Sequence, residues 1–128
     1  MKQQKILRNQ KGFTLIEIIA VLIILSFLAA VAVPRYIDLE VNSKQRAIDA
    51  AISELNGRES LVWANLKTSD GYQNDGQLIL VVDYNLGTDY AWNPGHPLAD
   101  GGDLTFKGET VALNRTQSNG SKPAFWNR

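Results

Sequence analysis

Few side chains in this 128-residue sequence are placed for chemistry, and the most conspicuous is an acid in an apolar setting. Glu17 lies inside Phe13–Val33, FTLIEIIAVLIILSFLAAVAV, a run that only Thr14, Glu17 and Ser26 interrupt. A charge at the centre of a membrane helix costs about 2.5–3.5 kcal/mol, and less toward its end. A carboxylate kept there points to a use. His96 is the single histidine, held between Gly95 and Pro97 in a loop context, and catalysis would need a nucleophile and an orienting acid around it. With no cysteine in the chain, thiolate metal sites, disulfides and cysteine nucleophiles are excluded. Thr68–Gly71, Gln73–Gly76 and Ala99–Asp103 are rich in Asp, Asn and Gly, the oxygen donors that calcium takes. None has EF-hand spacing, and these residue types serve equally as turns. The expectation is a chain without catalytic residues or a resident metal, with calcium as the open alternative.

The elements that position Glu17 come next. A helix of 21 residues spans about 32 Å at 1.5 Å per residue, close to the roughly 30 Å hydrocarbon core of a bilayer. Lys2, Lys5, Arg8 and Lys11 precede it with no acid among them. The positive-inside bias therefore sets the N-terminus in the cytoplasm and the remainder outside. Without those four, nine basic residues face thirteen acidic ones, a mildly acidic body with no basic stripe. That balance argues against a nucleic-acid partner. A secretory signal peptide is the rival reading, since Ala30-Val31-Ala32 fits a small-residue cleavage site. The run is longer than the usual apolar region of a signal, and a discarded segment has no need of Glu17.

Lys11-Gly12-Phe13-Thr14-Leu15-Ile16-Glu17, followed by the long apolar run, resembles the processing motif of type IV prepilins and of the pseudopilins of type II secretion. Pro34 matches a position where the helix of that family bends. The likeness covers roughly residues 1–66. It implies removal of a leader, residues 1–12, by a prepilin peptidase cutting between Gly12 and Phe13, and N-methylation of Phe13. It further implies that Glu17 pairs with the Phe13 amine of a neighbouring subunit and so sets the register of a homo-oligomeric filament. The partners implied are inner-membrane lipid, the peptidase, the inner-membrane assembly machinery and other copies of the chain. The location implied is the bacterial inner membrane, single-pass, and afterwards a cell-surface filament serving adhesion, motility or uptake. A pseudopilin is the alternative within the class. A membrane-anchored binding domain that never polymerises is the more distant one.

Residues 34–128 then form an extracytoplasmic head that includes the second half of the helix. Beyond Pro34, Ile37, Val41, Ile48, Ile52, Leu55, Val62 and Leu66 recur at helical steps, predicting one long helix from Phe13 to about Leu66 with a kink at Pro34. Gln77–Tyr84, QLILVVDY, reads as a buried central strand, and Leu104–Phe106 with Thr110–Leu113 as a hairpin around Lys107-Gly108-Glu109. Tyr90–Trp92 reads as an edge strand or loop anchor. The aromatics of Pro123–Trp126 are expected to dock the tail. The fold class is α+β, a long N-terminal helix on a small antiparallel sheet.

Overall fold

A computed structural model describes residues 12–128. The expected leader therefore lies outside the described residues except for Gly12. The chain divides into two compact units, residues 1–39 and 40–128.

Helix α1, Leu15–Thr68, is 54 residues long and contains Pro34. Thr14 stands at its N-terminus, and the Leu, Ile and Ala residues that follow are compatible with a helix interior. Pro34 has no N–H to donate to the preceding turn, and the helix nevertheless continues past it. In the first unit the apolar side chains of α1 are all exposed, with Leu15, Ile16 and Phe27 at 80, 76 and 74%. This is the one helix long and apolar enough to cross a membrane among the described residues.

In the second unit α1 becomes the spine of an α+β head. Ile48, Ala51 and Leu55 are buried, and Ile52 packs against them, the spacing of a single helical face. Ile37 and Val41, assigned to the same stripe, stay half exposed. At the other end, the Gly71 N–H donates to Leu66 O at 2.8 Å and the Asp70 N–H to Lys67 O at 3.4 Å, with Asp70 at φ 52°. These bonds form a Schellman stop, so Thr68–Gly71 serves as helix-ending chemistry.

Four strands follow: β1 (Tyr90–Leu98), β2 (Gly101–Phe106), β3 (Glu109–Thr116) and β4 (Phe125–Asn127). They pair antiparallel in the order β1-β2-β3-β4. The β2–β3 hairpin turns at Lys107 and Gly108, both at positive φ, as a two-residue type I′ turn requires. Leu104, Leu113 and Trp126 point from the sheet into the α1 stripe and complete the main core. Full burial of an aliphatic side chain of this size contributes about 1.5–3 kcal/mol. Gly101 is needed for space: a Cβ there would lie 2.1 Å from the Leu113 carbonyl oxygen. β1 is the edge strand anticipated at Tyr90–Trp92. His96 falls within it rather than in a free loop, in a stretch where the register slips between Asn93 and Leu98. Pro94 and Pro97, which cannot donate to a ladder, account for the slip.

Gln77–Tyr84 is not a strand. Asp75–Val81 forms helix α2, capped by Asn74, whose side chain accepts from the Gln77 N–H at 3.1 Å. The Gln77 side chain in turn accepts from the Gln73 N–H at 3.0 Å. A short apolar run has no decisive period, and the local cap decided its form. Leu78 and Val82, one turn apart, are buried, while Leu80 is 86% exposed. A buried strand would have hidden both.

Candidate functional site: the N-terminal helix start and a buried ion cluster

Thr14-Leu15-Ile16-Glu17 forms a capping box. The Glu17 N–H lies 3.3 Å from Thr14 Oγ1, and the Thr14 N–H lies 3.3 Å from Glu17 Oε2. Each side chain thus satisfies a backbone donor that the start of a helix leaves without an intrahelical partner. The carboxylate also lies at the positive end of the helix dipole. In this way the structure turns Glu17 back toward the N-terminus and sets its carboxylate beside the backbone that follows Phe13. Phe13 is 81% exposed, and a Cβ at Gly12 would meet nothing within 4 Å. Gly12, Phe13 and Glu17 are therefore gathered at one helix end, while Pro34 lies well down the same helix. The capping pattern is readable in the sequence at Thr14 and Glu17, although the charge of Glu17 is the more conspicuous signal there.

The head holds a second constellation, which no sequence motif announces. Arg115 of β3 is buried between Glu59 of α1 and Asp75 of α2. Its Nε and Nη2 donate to the two oxygens of Glu59 at 2.7 and 3.2 Å. Its Nη1 and Nη2 donate to the two oxygens of Asp75 at 2.7 and 3.0 Å. The remaining N–H, on Nη1, reaches Ala99 O at 3.0 Å. All five guanidinium donors are thus used, two carboxylates being held bidentately. Glu59 Oε1 also accepts from Tyr84 Oη at 2.7 Å and from Trp126 Nε1 at 3.0 Å. Asp75 Oδ1 also accepts from the Ser118 N–H at 2.7 Å and from Ser118 Oγ at 2.8 Å.

Two anions and one cation leave a formal charge of −1 in the interior, and the neutral donors from Tyr84, Trp126 and Ser118 stabilise it. Burial pushes Asp75 up, but the hydrogen bonds from Arg115 and Ser118 outweigh it and hold the carboxyl below its ordinary value. Burial pulls Arg115 down, and the bonds to Glu59 and Asp75 overcome this and raise it. Burial and then the Glu59 hydrogen bond raise Tyr84. The chemistry available here is structural, since each carboxylate oxygen of Glu59 and Asp75 already accepts at least one hydrogen bond. Asp75, one of the oxygen donors weighed for calcium, is turned to Arg115 and Ser118. In the third Asp/Gly cluster, Asp100 Oδ1 accepts from Gln117 Nε2 at 2.7 Å. Among the described residues no group of three His, Cys, Asp or Glu side chains is arranged to hold a metal ion.

Residues 7–33 match the family described as the prokaryotic N-terminal methylation motif. That defines the class of the helix start: a prepilin-type N-terminus. A stretch of 57 residues, 44% of the chain, is 37% identical to the type IV narrow pilus major component PilA5 of Thermus thermophilus. The match spans 49% of that relative, about half its length. No solved structure matches the chain. The chain is thus similar to a type IV pilin over part of its length, and its long apolar helix fits anchoring in a membrane.

Proposed function

We propose that the chain is the precursor of a pilus subunit, cut between Gly12 and Phe13 by a prepilin peptidase and methylated on the new Phe13 amine. The mature chain waits in the inner membrane with Phe13 on the cytoplasmic side. It polymerises there into a cell-surface filament of identical copies, driven by the assembly machinery. In that filament the Glu17 carboxylate of one subunit receives the Phe13 ammonium of its neighbour. The Thr14–Glu17 capping box carries this reading, because it holds the carboxylate at the helix end where the new amine forms. A charged amine buried among apolar helices is tolerated only when paired and hydrogen-bonded. Similarity to a pilus component favours a pilus over a secretion pseudopilin.

The test is the mass of the mature chain purified from membranes. The expected N-terminus is Phe13 bearing one added methyl group, and Gly12→Val leaves the precursor uncut. A mature chain beginning at residue 33 would establish the signal-peptide reading instead. A mature chain beginning at Phe13 but never found in sheared surface filaments would move the assignment to a pseudopilin.

A further inference from the structure

The C-terminal segment is fastened to α1 by a row of side chains, and the row has a direction. Asp49, Asn56, Glu59 and Trp63 follow one another at helical steps. They meet, in turn, Arg128, the backbone of Trp126, the indole of Trp126 and the carbonyl of Asn119. Asp49 pairs with Arg128 at 3.2 Å. The Asn56 amide takes both backbone groups of Trp126, accepting from its N–H at 2.6 Å and donating to its carbonyl at 3.0 Å. Glu59 accepts from the Trp126 indole at 3.0 Å, and the Trp63 indole donates to Asn119 O at 3.0 Å. As α1 ascends the segment descends, so the two run antiparallel. Asn56 occupies the backbone of Trp126 as a neighbouring strand would, at the open side of a three-residue strand.

We infer that residues 117–128 form a strap that closes as one unit over the helix and sheet, completing their core with Trp126, and that the ion cluster is its lock. Three observations carry this. The strap pairs with β3 only at Asn114, Arg115 and Thr116. Its other ties are made by side chains, and with no cysteine in the chain nothing closes it covalently. Closure delivers three of the donors that stabilise the buried anions: the Trp126 indole to Glu59, and the Ser118 N–H and hydroxyl to Asp75. Trp126 is also fully buried, between Trp92 at 5.4 Å and Tyr84 at 5.9 Å. The strap therefore closes with Trp126 and Ser118 both in place, because a half-closed strap leaves the charged cluster short of partners.

Hydrogen exchange on the full-length chain in detergent tests this. Strap amides such as Trp126 and Ser118 are expected to exchange roughly tenfold faster than those of the β2–β3 hairpin, through a local opening. Asn56→Ala is expected to raise strap exchange by a further factor of about ten while the hairpin stays protected. Should Asn56→Ala fail to fold, Asp49→Ala, at an exposed tie, is expected to give a smaller rise confined to the strap. Equal exchange of strap and hairpin in the wild type would overturn the inference. So would a rise spread evenly over the head, or no rise in either variant.

Discussion

Two of the glutamates on α1, Glu17 and Glu59, have opposite circumstances. Glu59, in the head, is wholly buried and accepts from Arg115, Tyr84 and Trp126. Glu17, in the apolar half, has hydrogen bonds among the described residues only to Thr14, three positions away. The acid in the head is completed within its own chain, over sequence separations of 25, 56 and 67 residues. The acid near the N-terminus holds only a cap, which needs no tertiary structure. The contrast separates two jobs for a carboxylate on one helix. One closes a fold, and the other caps its own helix and, in the function proposed above, pairs with a neighbouring copy.

Three experiments would break or sharpen that contrast. The largest effect is expected from Glu17→Ala on assembly with no effect on the head. The chain should insert and be processed, since the scissile bond is untouched and the helix becomes more apolar. Docking would then bury an unpaired amine, weakening each addition by about a hundredfold to several thousandfold, so sheared filaments should vanish while membranes hold processed monomer. Normal filaments built from Glu17→Ala alone would remove the distinction between the two acids. Glu17→Asp, which keeps the charge on a shorter arm, should assemble poorly but measurably.

Next comes Arg115→Met, which should spare the N-terminal helix and damage the head. It strands Glu59 and Asp75 without their shared cation, at a cost of about 3–5 kcal/mol in stability by thermal or denaturant unfolding. Adding Glu59→Gln and Asp75→Asn in the same chain should recover part of that loss, because neutral amides remove the stranded charges and still offer acceptors to Tyr84, Trp126 and Ser118. A head as stable as wild type after Arg115→Met alone would mean that the cluster closes nothing.

The smallest effect is a pH dependence. The folded carboxyl of Asp75 lies below its ordinary value of 3.8. Its contribution is therefore fully present above the unfolded value and lost as the pH falls through the lower folded one. Thermal midpoints of the head should fall between about pH 4 and pH 2, and Asp75→Asn should flatten that part of the profile while lowering stability at neutral pH. An identical acid limb in Asp75→Asn would assign the acid sensitivity to other groups.

Much of the N-terminal half was legible because its signals are local. An apolar run of membrane length, four basic residues ahead of it and one acid inside it can each be read within a few turns of chain. The helical stripe at Ile48, Ile52 and Leu55 and a hairpin after Phe106 were legible for the same reason, since period and turn chemistry are properties of neighbours, although Glu109 belongs to β3 and not to the turn. Docking of the tail through Trp126 was anticipated, although Phe125 remains half exposed. The run at Gln77–Tyr84 misled because eight apolar and polar residues suit a strand or a helix. The signal that settles it, Asn74 three residues before Gln77, looked like one more turn.

By itself, then, the sequence determined a prepilin-type start, a helix fit for a membrane and an α+β body behind it, since each rests on composition and short spacing. Only the tertiary structure decided that Glu59, Asp75 and Arg115 meet. Each reads as an ordinary surface charge in its own segment, and burial with saturated hydrogen bonding exists only once α1, α2, β3 and the C-terminal strap have come together. The same holds for Asn56, a plain polar residue on a helix until Trp126 presents its backbone to it. Partners 40 to 70 residues apart leave no periodic mark, because the constraint that unites them is the packed interior itself.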